Sequence, residues 1–301
     1  MAKKSNIKEF LQLIEKVIRI LATENGKVGS LRITGRLIEA PPLGEAIVVG
    51  DIHGDLKSLV HILEASNFLA NARKRKDVLL IFLGDYGDRG SYSSEVYYIV
   101  LKLKELFPDR TILMRGNHEG PDDLLAYPHD LPSHLKRKFG EKGLDAYSRL
   151  RELFNHLYTT VLIDERYILL HGGAPSQAST EDDIANAHEK HPYESHLEEI
   201  LWSDPWENLK GTYASPRGAG RLFGENVTDK LLKILGVKNL IRGHEPCGEG
   251  FKTNHGGKVL TIFSRSGPPY YNDHGAYLYL DLSREVEKPK QLLQSICKFH
   301  F

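Results

Sequence analysis

The chain has 301 residues, 41% of them hydrophobic, which suits one sizeable globular domain or two small ones with a hydrophobic core. Lys and Arg together number 40, as do Asp and Glu, and this neutral balance gives no electrostatic reason to expect nucleic acid or a membrane as partner. The two cysteines, Cys247 and Cys297, are too few for a disulfide framework and predict a reducing, cytoplasmic compartment.

The first predicted element is an amphipathic helix. Apolar side chains recur there at helical spacing, at Phe10, Leu13, Ile14, Val17, Ile18 and Leu21. We therefore expect residues 1–40 to form an N-terminal helical segment that packs on the rest of the domain. This stretch has no continuous apolar run and no small-residue cleavage site, so we expect neither a secretory signal nor a membrane span.

Short apolar strands alternate with amphipathic helices from about Glu45 onward. The predicted strands are 46–49, 78–83 and 111–114, and the predicted helices between them are 56–65 and 93–106. Such alternation of strand and helix implies parallel pairing in a layered α/β fold.

Later strands are predicted with fewer helices between them, after a mostly helical stretch at about 130–158. These strands are 166–171, 239–242, 259–264 and 276–282, and the stretch 174–220 is predicted to be mostly loop. With few crossover helices available, we expect a mixed second sheet. The predicted division is therefore one main domain over 41–285 and a short C-terminal tail over 286–301.

Polar residues follow glycine, or come just before it, at the ends of five predicted strands. The five sequences are GDIHGD (50–55), GDYGDRG (84–90), GNHEG (116–120), HGG (171–173) and GHE (243–245). Ligands of α/β sheets bind beyond the carboxyl ends of the strands, and glycine there allows close approach of the backbone. Because clustered carboxylates without a cation would cost several kcal/mol, the pattern predicts a metal site.

The residue types indicate which metals such a site would hold. Oxygen and imidazole ligands without a thiolate favour Mn, Fe, Zn or Co. The candidate ligands are too many for one open catalytic ion and suit two ions that share a carboxylate; they are Asp51, His53, Asp85, Asn117, His171 and His244. The charge of two divalent ions exceeds that of the two carboxylates, so the excess would attract a phosphate dianion. Two ions about 3.5–4 Å apart can orient a hydroxide for in-line attack on phosphorus.

Together these motifs resemble the phosphoprotein phosphatase family, metallophosphatases that include calcineurin. The family's Gly-Asp-x-His-Gly, Gly-Asp-x-x-Asp-Arg-Gly, Gly-Asn-His-Glu and His-Gly-Gly match 50–54, 84–90, 116–119 and 171–173, in order. The resemblance extends from about Glu45 to Leu282. It implies that 41–285 is a metallophosphatase catalytic domain, a sandwich of two mixed β-sheets flanked by helices. It further implies hydrolysis of phosphoserine and phosphothreonine by direct attack of a metal-bridging hydroxide.

The resemblance also implies a role for individual residues. It implies that the metal ligands of this chain are Asp51 and His53 for the first ion, Asp85 for both ions, and Asn117, His171 and His244 for the second. It also implies that the general acid is His118, oriented by Asp88, and that the phosphate-binding residues are Arg89, Arg217 and Asn117. Glu119 is predicted either to fix this loop by hydrogen bonds or to be an exposed residue of a first helical turn.

Two later segments bear on substrate binding. Arg217 lies in SPRGAGRLFG (215–224), which resembles the family's arginine loop, with LWSDP (201–205) upstream; Arg221 is the alternative arginine. The family's Ser-Ala-Pro-Asn-Tyr loop is replaced by SRSGPPYYND (264–273), where either Tyr270 or Tyr271 could stand for the loop tyrosine.

Three functions remain open at this level. The leading one is a phosphoprotein phosphatase acting on phosphoproteins or phosphopeptides, because 115–119 and 171–173 have the form of the protein-phosphatase branch. The alternatives are a hydrolase of dinucleoside polyphosphates or other small phosphoesters and an inactive phosphate-binding scaffold, which the complete set of ligands, acid and arginines disfavours. We expect no regulatory or calmodulin-binding segment at the C-terminus, because nothing there resembles one.

Overall fold

Two large β-sheets packed face to face form the frame of the molecule in the computed structural model, which describes residues 2–74, 77–285 and 289–301. In chain order the strands are β1 (Gly26–Val28), β2 (Leu31–Thr34), β3 (Leu37–Ala40), β4 (Glu45–Val49), β5 (Val78–Phe82), β6 (Thr111–Leu113), β7 (Thr160–Ile163), β8 (Tyr167–Leu169), β9 (Asp204–Pro205), β10 (Thr212–Ala214), β11 (Arg221–Phe223), β12 (Asn239–Arg242), β13 (Phe251–Asn254), β14 (Val259–Ile262), β15 (Gly275–Asp281) and β16 (Ile296–Phe299).

Helices cover the sheets and fill the connections. They are α1 (Ile7–Thr23), α2 (Leu56–Ala65), α3 (Phe68–Lys74), α4 (Ser93–Leu106), α5 (Leu131–Phe139), α6 (Gly143–Phe154), α7 (Glu181–Ala185), α8 (Ala187–Lys190), α9 (His196–Trp202) and α10 (Glu225–Leu235). Within the ranges that the structure describes, none of the helices combines the length and the apolar character needed to cross a bilayer.

The first sheet has the strand order β16-β15-β4-β5-β6. Strands β4, β5 and β6 are parallel, and the crossover connections between them carry α2, α3 and α4. Every residue of β5 is buried, which explains its uninterrupted apolar sequence VLLIF, since a central parallel strand is covered on both faces.

The second sheet has the order β1-β2-β3-β7-β8-β12-β14-β13 and mixes parallel with antiparallel pairs. Some of its apolar residues share one hydrophobic core with those of the first sheet, in which Ile47 and Ile81 of one sheet and Val161 and Leu260 of the other are buried. Its other buried apolar residues form a second cluster with residues of α9 and α10. The predicted α/β sandwich of two mixed sheets flanked by helices is therefore confirmed. The stretch 174–220, predicted to be mostly loop, contains α7, α8 and α9 and two strands of a small third sheet, whose order is β10-β11-β9.

Residues 1–40 contain more than the predicted helix. Helix α1 buries Phe10, Leu13, Ile14, Val17 and Leu21, as the helical spacing requires. After it, β1, β2 and β3 form an antiparallel meander, and β3 pairs in parallel with β7 of the second sheet. Buried and exposed residues alternate along β2, as expected for a strand. This pattern covers only four residues, which is too short to predict a strand from the sequence beside the stronger pattern of the preceding helix.

Residues 286–301 differ from the predicted tail, although 286–288 lie outside the described residues. From Pro289 onward the chain forms a 3₁₀ helix and then β16, which pairs antiparallel with β15. The pairing satisfies backbone groups that β15 would otherwise expose at a sheet edge. Strand β15 itself belongs to the first sheet, where the sequence placed it in the second. The domain boundaries at 40 and 285 stay predictions.

Candidate functional site

The carboxyl ends of five strands from both sheets meet at one edge of the sandwich. Strands β4, β5 and β6 deliver the first three motifs, and β8 and β12 deliver His171 and His244. A pocket of about 460 Å³ opens beside them. Its lining includes His53, Asp85, Arg89, Asn117, His118, Arg217 and His244.

Asp85 belongs to two groups of potential metal ligands. Its carboxylate and the imidazoles of His171 and His244 have ligand atoms within 4.8 Å of one another, and the same holds for Asp85 with His53 and His118. His53 Nε2 and His171 Nε2 each lie 3.4 Å from a different oxygen of Asp85. One carboxylate thus faces two sets of imidazoles, the arrangement that a bridging ligand requires.

Asp51 lies fully buried between the same loops. Its Oδ1 accepts the backbone N–H of His244 at 2.9 Å. Its Oδ2 lies 3.7 Å from His53 Nε2 and has no hydrogen-bond partner among the described residues. A buried carboxylate oxygen without a donor is costly, so this atom calls for a cation.

Burial dominates the electrostatics of these side chains. It raises the pKa of Asp51 to about 7 and, together with the charge of Asp51, raises the pKa of Asp85 well above its usual range. Burial also lowers the pKa of His53, His171 and His244, which favours neutral imidazoles with free lone pairs. Buried carboxylates beside neutral imidazoles form a donor set that fits divalent ions.

Backbone carbonyls orient two of the imidazoles. His53 Nδ1 donates to Gly87 O at 2.9 Å, and His171 Nδ1 donates to Leu83 O at 3.0 Å. Each Nε2 lone pair is then left facing Asp85, because the other ring nitrogen carries the proton. His244 is turned the other way, with Nδ1 at 3.1 Å from the Asn117 amide group, which also lies 3.0 Å from His171 Nε2.

The loops that carry these residues have unusual backbone conformations. Positive φ angles occur at His53, Asp85, Asp88, Arg89 and His244. A residue other than glycine has a strained backbone at a positive φ angle, and residues with such strain cluster at functional sites. Gly84 has a φ of 108°, and a Cβ there would collide with the backbone of Gly116, so the two loops pack at a distance that only glycine permits.

Glu119 is buried and holds the loops together. Its carboxylate accepts the backbone N–H groups of Asp85 at 2.8 Å and Gly116 at 3.1 Å, and the Tyr97 hydroxyl donates to it at 2.7 Å. Of the two roles open for Glu119 from the sequence, the structure therefore favours the hydrogen-bonding one. By fixing Asp85 and Gly116, this side chain sets the position of Asn117 relative to Asp85.

His118 pairs with Asp88 through a short hydrogen bond. His118 Nδ1 lies 2.5 Å from Asp88 Oδ2, and both side chains are almost fully buried. Burial alone would raise the pKa of Asp88, but hydrogen bonds from His118 and His129 outweigh it and hold the pKa of that carboxyl well below its usual range. The ionised Asp88 therefore accepts a hydrogen bond from His118, whose ring also lines the pocket.

Two arginines line the pocket from opposite loops. The Arg89 backbone N–H donates to the Asp130 carboxylate at 3.1 Å, and its Nη2 donates to Tyr127 O at 3.2 Å. Arg217 Nε donates to Asp204 Oδ2 at 2.6 Å. Arg221, the alternative in the same loop, lies instead 3.8 Å from the Glu199 carboxylate and is half exposed.

Sequence reasoning missed the support of Arg217. Asp204 accepts from Arg217 through one oxygen and from the fully buried Arg242 through the other, at 3.0 Å. Arg242 also donates to Gly172 O and, at 2.5 Å, to Glu245, so it joins the His171 and His244 loops. Asp204 lies in LWSDP (201–205) and Arg242 in LIRGHE (240–245), but only the fold shows that the two side chains are in contact.

The loop 264–273 places Tyr270, not Tyr271, in the pocket. The Tyr270 ring stacks on His53 with 5.4 Å between ring centroids, whereas Tyr271 is 83% exposed. Arg265 donates to the carbonyls of His53 and Pro268, which connects this loop to the loop that carries His53. Of the two tyrosines that the sequence left open, Tyr270 is therefore the one that lines the pocket.

The chain is similar in sequence to known phosphatases. The model of the calcineurin-like phosphoesterase family matches residues 46–248. A protein of Encephalitozoon cuniculi named "Probable serine/threonine-protein phosphatase" is 35% identical over 255 residues, 83% of this chain and 53% of that protein, so this chain spans about half of that relative. The serine/threonine-protein phosphatase 4 catalytic subunit of Saccharomyces cerevisiae is 35% identical over 72% of this chain and 68% of its own. A protein phosphatase 2A catalytic subunit of Dictyostelium discoideum is 34% identical, over 76% and 70%.

Solved structures share the fold at lower identity. A protein serine/threonine phosphatase of Saccharomyces cerevisiae, described as similar to human phosphatase PP5, has a TM-score of 0.74 and 24% identity, covering 99% of this chain and 90% of its own. A cold-active protein-tyrosine phosphatase of a psychrophilic Shewanella has a TM-score of 0.60 and 16% identity, covering 88% and 80%. One fold thus occurs in proteins named for different substrates.

Proposed function

Because the chain belongs to the calcineurin-like phosphoesterase family, and within it to the serine/threonine-protein phosphatases, we propose that it is a metal-dependent phosphomonoesterase acting on phosphoserine and phosphothreonine in proteins. The observation that carries the proposal is one pocket in which a carboxylate shared between two imidazole groups lies beside two arginines. A phosphate monoester needs both features, cations for its charge and donors for its oxygens.

The proposed metal ligands divide between two ions that share Asp85. Asp51 and His53 would hold the first ion, and Asn117, His171 and His244 the second. Two divalent ions, with manganese expected and iron, zinc or cobalt as alternatives, would offset the charge of the phosphate and lower the pKa of water. The unpartnered Oδ2 of Asp51 and the neutral imidazoles support this assignment.

Arg89 and Arg217 bind the phosphate oxygens in this proposal, together with Asn117. A guanidinium offers a planar fork of N–H donors that matches phosphate geometry. Asp204 holds Arg217 by one hydrogen bond at Nε, which leaves the remaining nitrogens for the substrate. The positive charge of the two guanidinium groups also favours binding of a phosphate dianion over neutral analogues.

His118 donates the proton that the leaving oxygen needs. Hydrolysis breaks the bond between phosphorus and the serine or threonine oxygen while water adds to phosphorus from the opposite side. The departing alkoxide takes a proton from His118 Nε2, and Asp88 stabilises the imidazolium through Nδ1 until that transfer. Trp202, Phe263 and Tyr270 line the same pocket and supply its apolar wall.

A substrate panel tests the proposed function. With Mn²⁺ added, phosphothreonine or phosphoserine peptides should be hydrolysed with a higher kcat/KM than diadenosine tetraphosphate, because relatives at 34–35% identity are named protein phosphatases. The alternative function, hydrolysis of dinucleoside polyphosphates or other small phosphoesters, predicts the reverse order. Absence of turnover on every phosphomonoester, p-nitrophenyl phosphate included, would instead support a phosphate-binding scaffold.

Inhibition by inorganic phosphate tests the role of Arg217. Replacing Arg217 with Ala should weaken competitive inhibition by phosphate about tenfold, the scale of a lost hydrogen bond to a charged group. Arg221→Ala is the matched control, since Arg221 belongs to the same loop but pairs with Glu199. Equal inhibition constants for wild type and Arg217→Ala would mean that the wrong arginine has been assigned.

We also propose a cytoplasmic location and phosphoproteins as partners. The location rests on the cysteines, since Cys247 and Cys297 are both free thiols. Burial raises the pKa of Cys247 to about 12, which keeps this thiol protonated and unreactive. The partners follow from the proposed activity.

A further inference from the structure

A second histidine contacts the same carboxylate oxygen as the proposed acid. His129 Nδ1 lies 2.7 Å from Asp88 Oδ2, and His118 Nδ1 lies 2.5 Å from the same atom. Asp88 is 1% exposed, so water does not compete for this oxygen. His129 does not line the pocket, and the mechanism proposed above gives it no task.

The other oxygen of Asp88 is equally occupied. Asp88 Oδ1 accepts the backbone N–H groups of Asp130 at 2.9 Å and Leu131 at 2.7 Å. Two backbone N–H groups and two imidazole nitrogens therefore face one carboxylate. Because an ionised carboxylate only accepts hydrogen bonds, both imidazoles must present a proton at Nδ1.

Tyr147 fixes the tautomer of His129 that meets this requirement. The Tyr147 hydroxyl lies 2.9 Å from His129 Nε2, and the two rings are in contact with 5.5 Å between centroids. When the hydroxyl donates to Nε2, the proton of a neutral His129 must lie on Nδ1, facing Asp88. A continuous row of hydrogen bonds then runs from Tyr147 through His129 and Asp88 to His118.

His129 also belongs to the segment that forms one wall of the pocket. Leu125, Ala126 and Tyr127 of this segment line the pocket, and Tyr127 is 92% exposed. Arg89 is bonded to the same segment through Tyr127 O and the Asp130 carboxylate. The wall, the proposed phosphate arginine and Asp88 are thus held as one unit.

We propose that His129 is a positioning residue for leaving-group protonation, which it supports by fixing the Asp88 carboxylate against His118 with the help of Tyr147. The inference rests on the proposed phosphomonoesterase function. Without the second imidazole, the carboxylate is free to turn about the two backbone N–H groups, and the His118 ring loses its fixed direction toward the leaving oxygen. The proton matters most when the leaving group is a poor one, so the effect depends on the substrate.

The test compares an alkyl with an aryl leaving group in matched variants. In His129→Phe, which keeps a ring but loses the donor, kcat on a phosphoserine peptide should fall about tenfold, with a smaller loss on p-nitrophenyl phosphate and unchanged KM. His129→Asn keeps an N–H donor near the position of Nδ1 and should retain the wild-type ratio of the two kcat values. Tyr147→Phe should shift the ratio in the same direction as His129→Phe, but less.

His134→Phe is the control for a purely structural effect. His134 has the same 12% side-chain exposure as His129, and its Nδ1 pairs with the Ser93 hydroxyl rather than with Asp88. Equal ratios in His129→Phe, His134→Phe and wild type would overturn the positioning role, as would His129→Asn behaving like His129→Phe. If His129→Phe does not fold, an unchanged ratio in Tyr147→Phe overturns it. A wild type that hydrolyses neither substrate refutes the proposed function itself, which separates the two failures.

Discussion

His118→Asn should lower kcat on a phosphoserine peptide by about 10²–10⁴-fold, the usual contribution of general acid catalysis. The serine alkoxide is a poor leaving group and needs the proton of His118. A nitrophenolate is a good leaving group, so the loss on p-nitrophenyl phosphate should be clearly smaller. Steady-state kinetics on the two substrates measure both effects.

Two further measurements distinguish an acid from a ligand at this position. His118 lies within 4.8 Å of the ligand atoms of His53 and Asp85, so its loss must be checked against metal content. We expect bound metal to be nearly unchanged, because Nδ1 is held by Asp88. Asp88→Asn should show the same leaving-group dependence in weaker form. Loss of metal, or equal slowing of both substrates, would rule out His118 as the general acid.

Asp85→Asn should reduce activity more than the loss of a ligand that serves one ion. Changing a group that only supports a metal ligand already costs about 10–100-fold, so removing the shared carboxylate charge should cost at least about 100-fold. The structural reason is that Asp85 faces His53 with one oxygen and His171 with the other. Elemental analysis should find both ions depleted.

His53→Asn is the comparison for Asp85→Asn. His53 is within reach of the Asp51 and Asp85 carboxylates but belongs to only one of the two ligand groups. We expect His53→Asn to weaken one ion and leave the other nearly in place. Comparable losses of activity and metal in the two variants would argue against Asp85 as the bridge.

The parts of the site that lie next to strands were predictable from the sequence. Glycine followed by Asp, Asn or His after an apolar run is a local pattern, and parallel strands bring their carboxyl ends to the same edge. The structure accordingly brings Asp51, Asp85, Asn117, His171 and His244 to one edge, while their assignment as ligands stays a prediction until metal is measured.

The remaining parts depend on contacts between distant segments. Asp204 and Arg242 are 38 residues apart in the sequence, and Asp88 and His129 are 41 residues apart. No periodic pattern in the sequence predicts either contact. Strands β1 to β3 and β16 were missed for a related reason, since short strands of three or four residues carry little pattern of their own and are stabilised by their partners. Local sequence therefore predicts the residues that face the substrate better than those that support them.

Metal content and phosphoserine-peptide turnover, measured on the same sample, decide whether the chain is a metal-dependent phosphatase. The protein is stripped with a chelator, checked by elemental analysis, and then titrated with Mn²⁺. We predict that turnover disappears as the metal leaves and returns with Mn²⁺, reaching its maximum at about two ions per chain. Full turnover by protein that elemental analysis shows to be metal-free would contradict the proposed function.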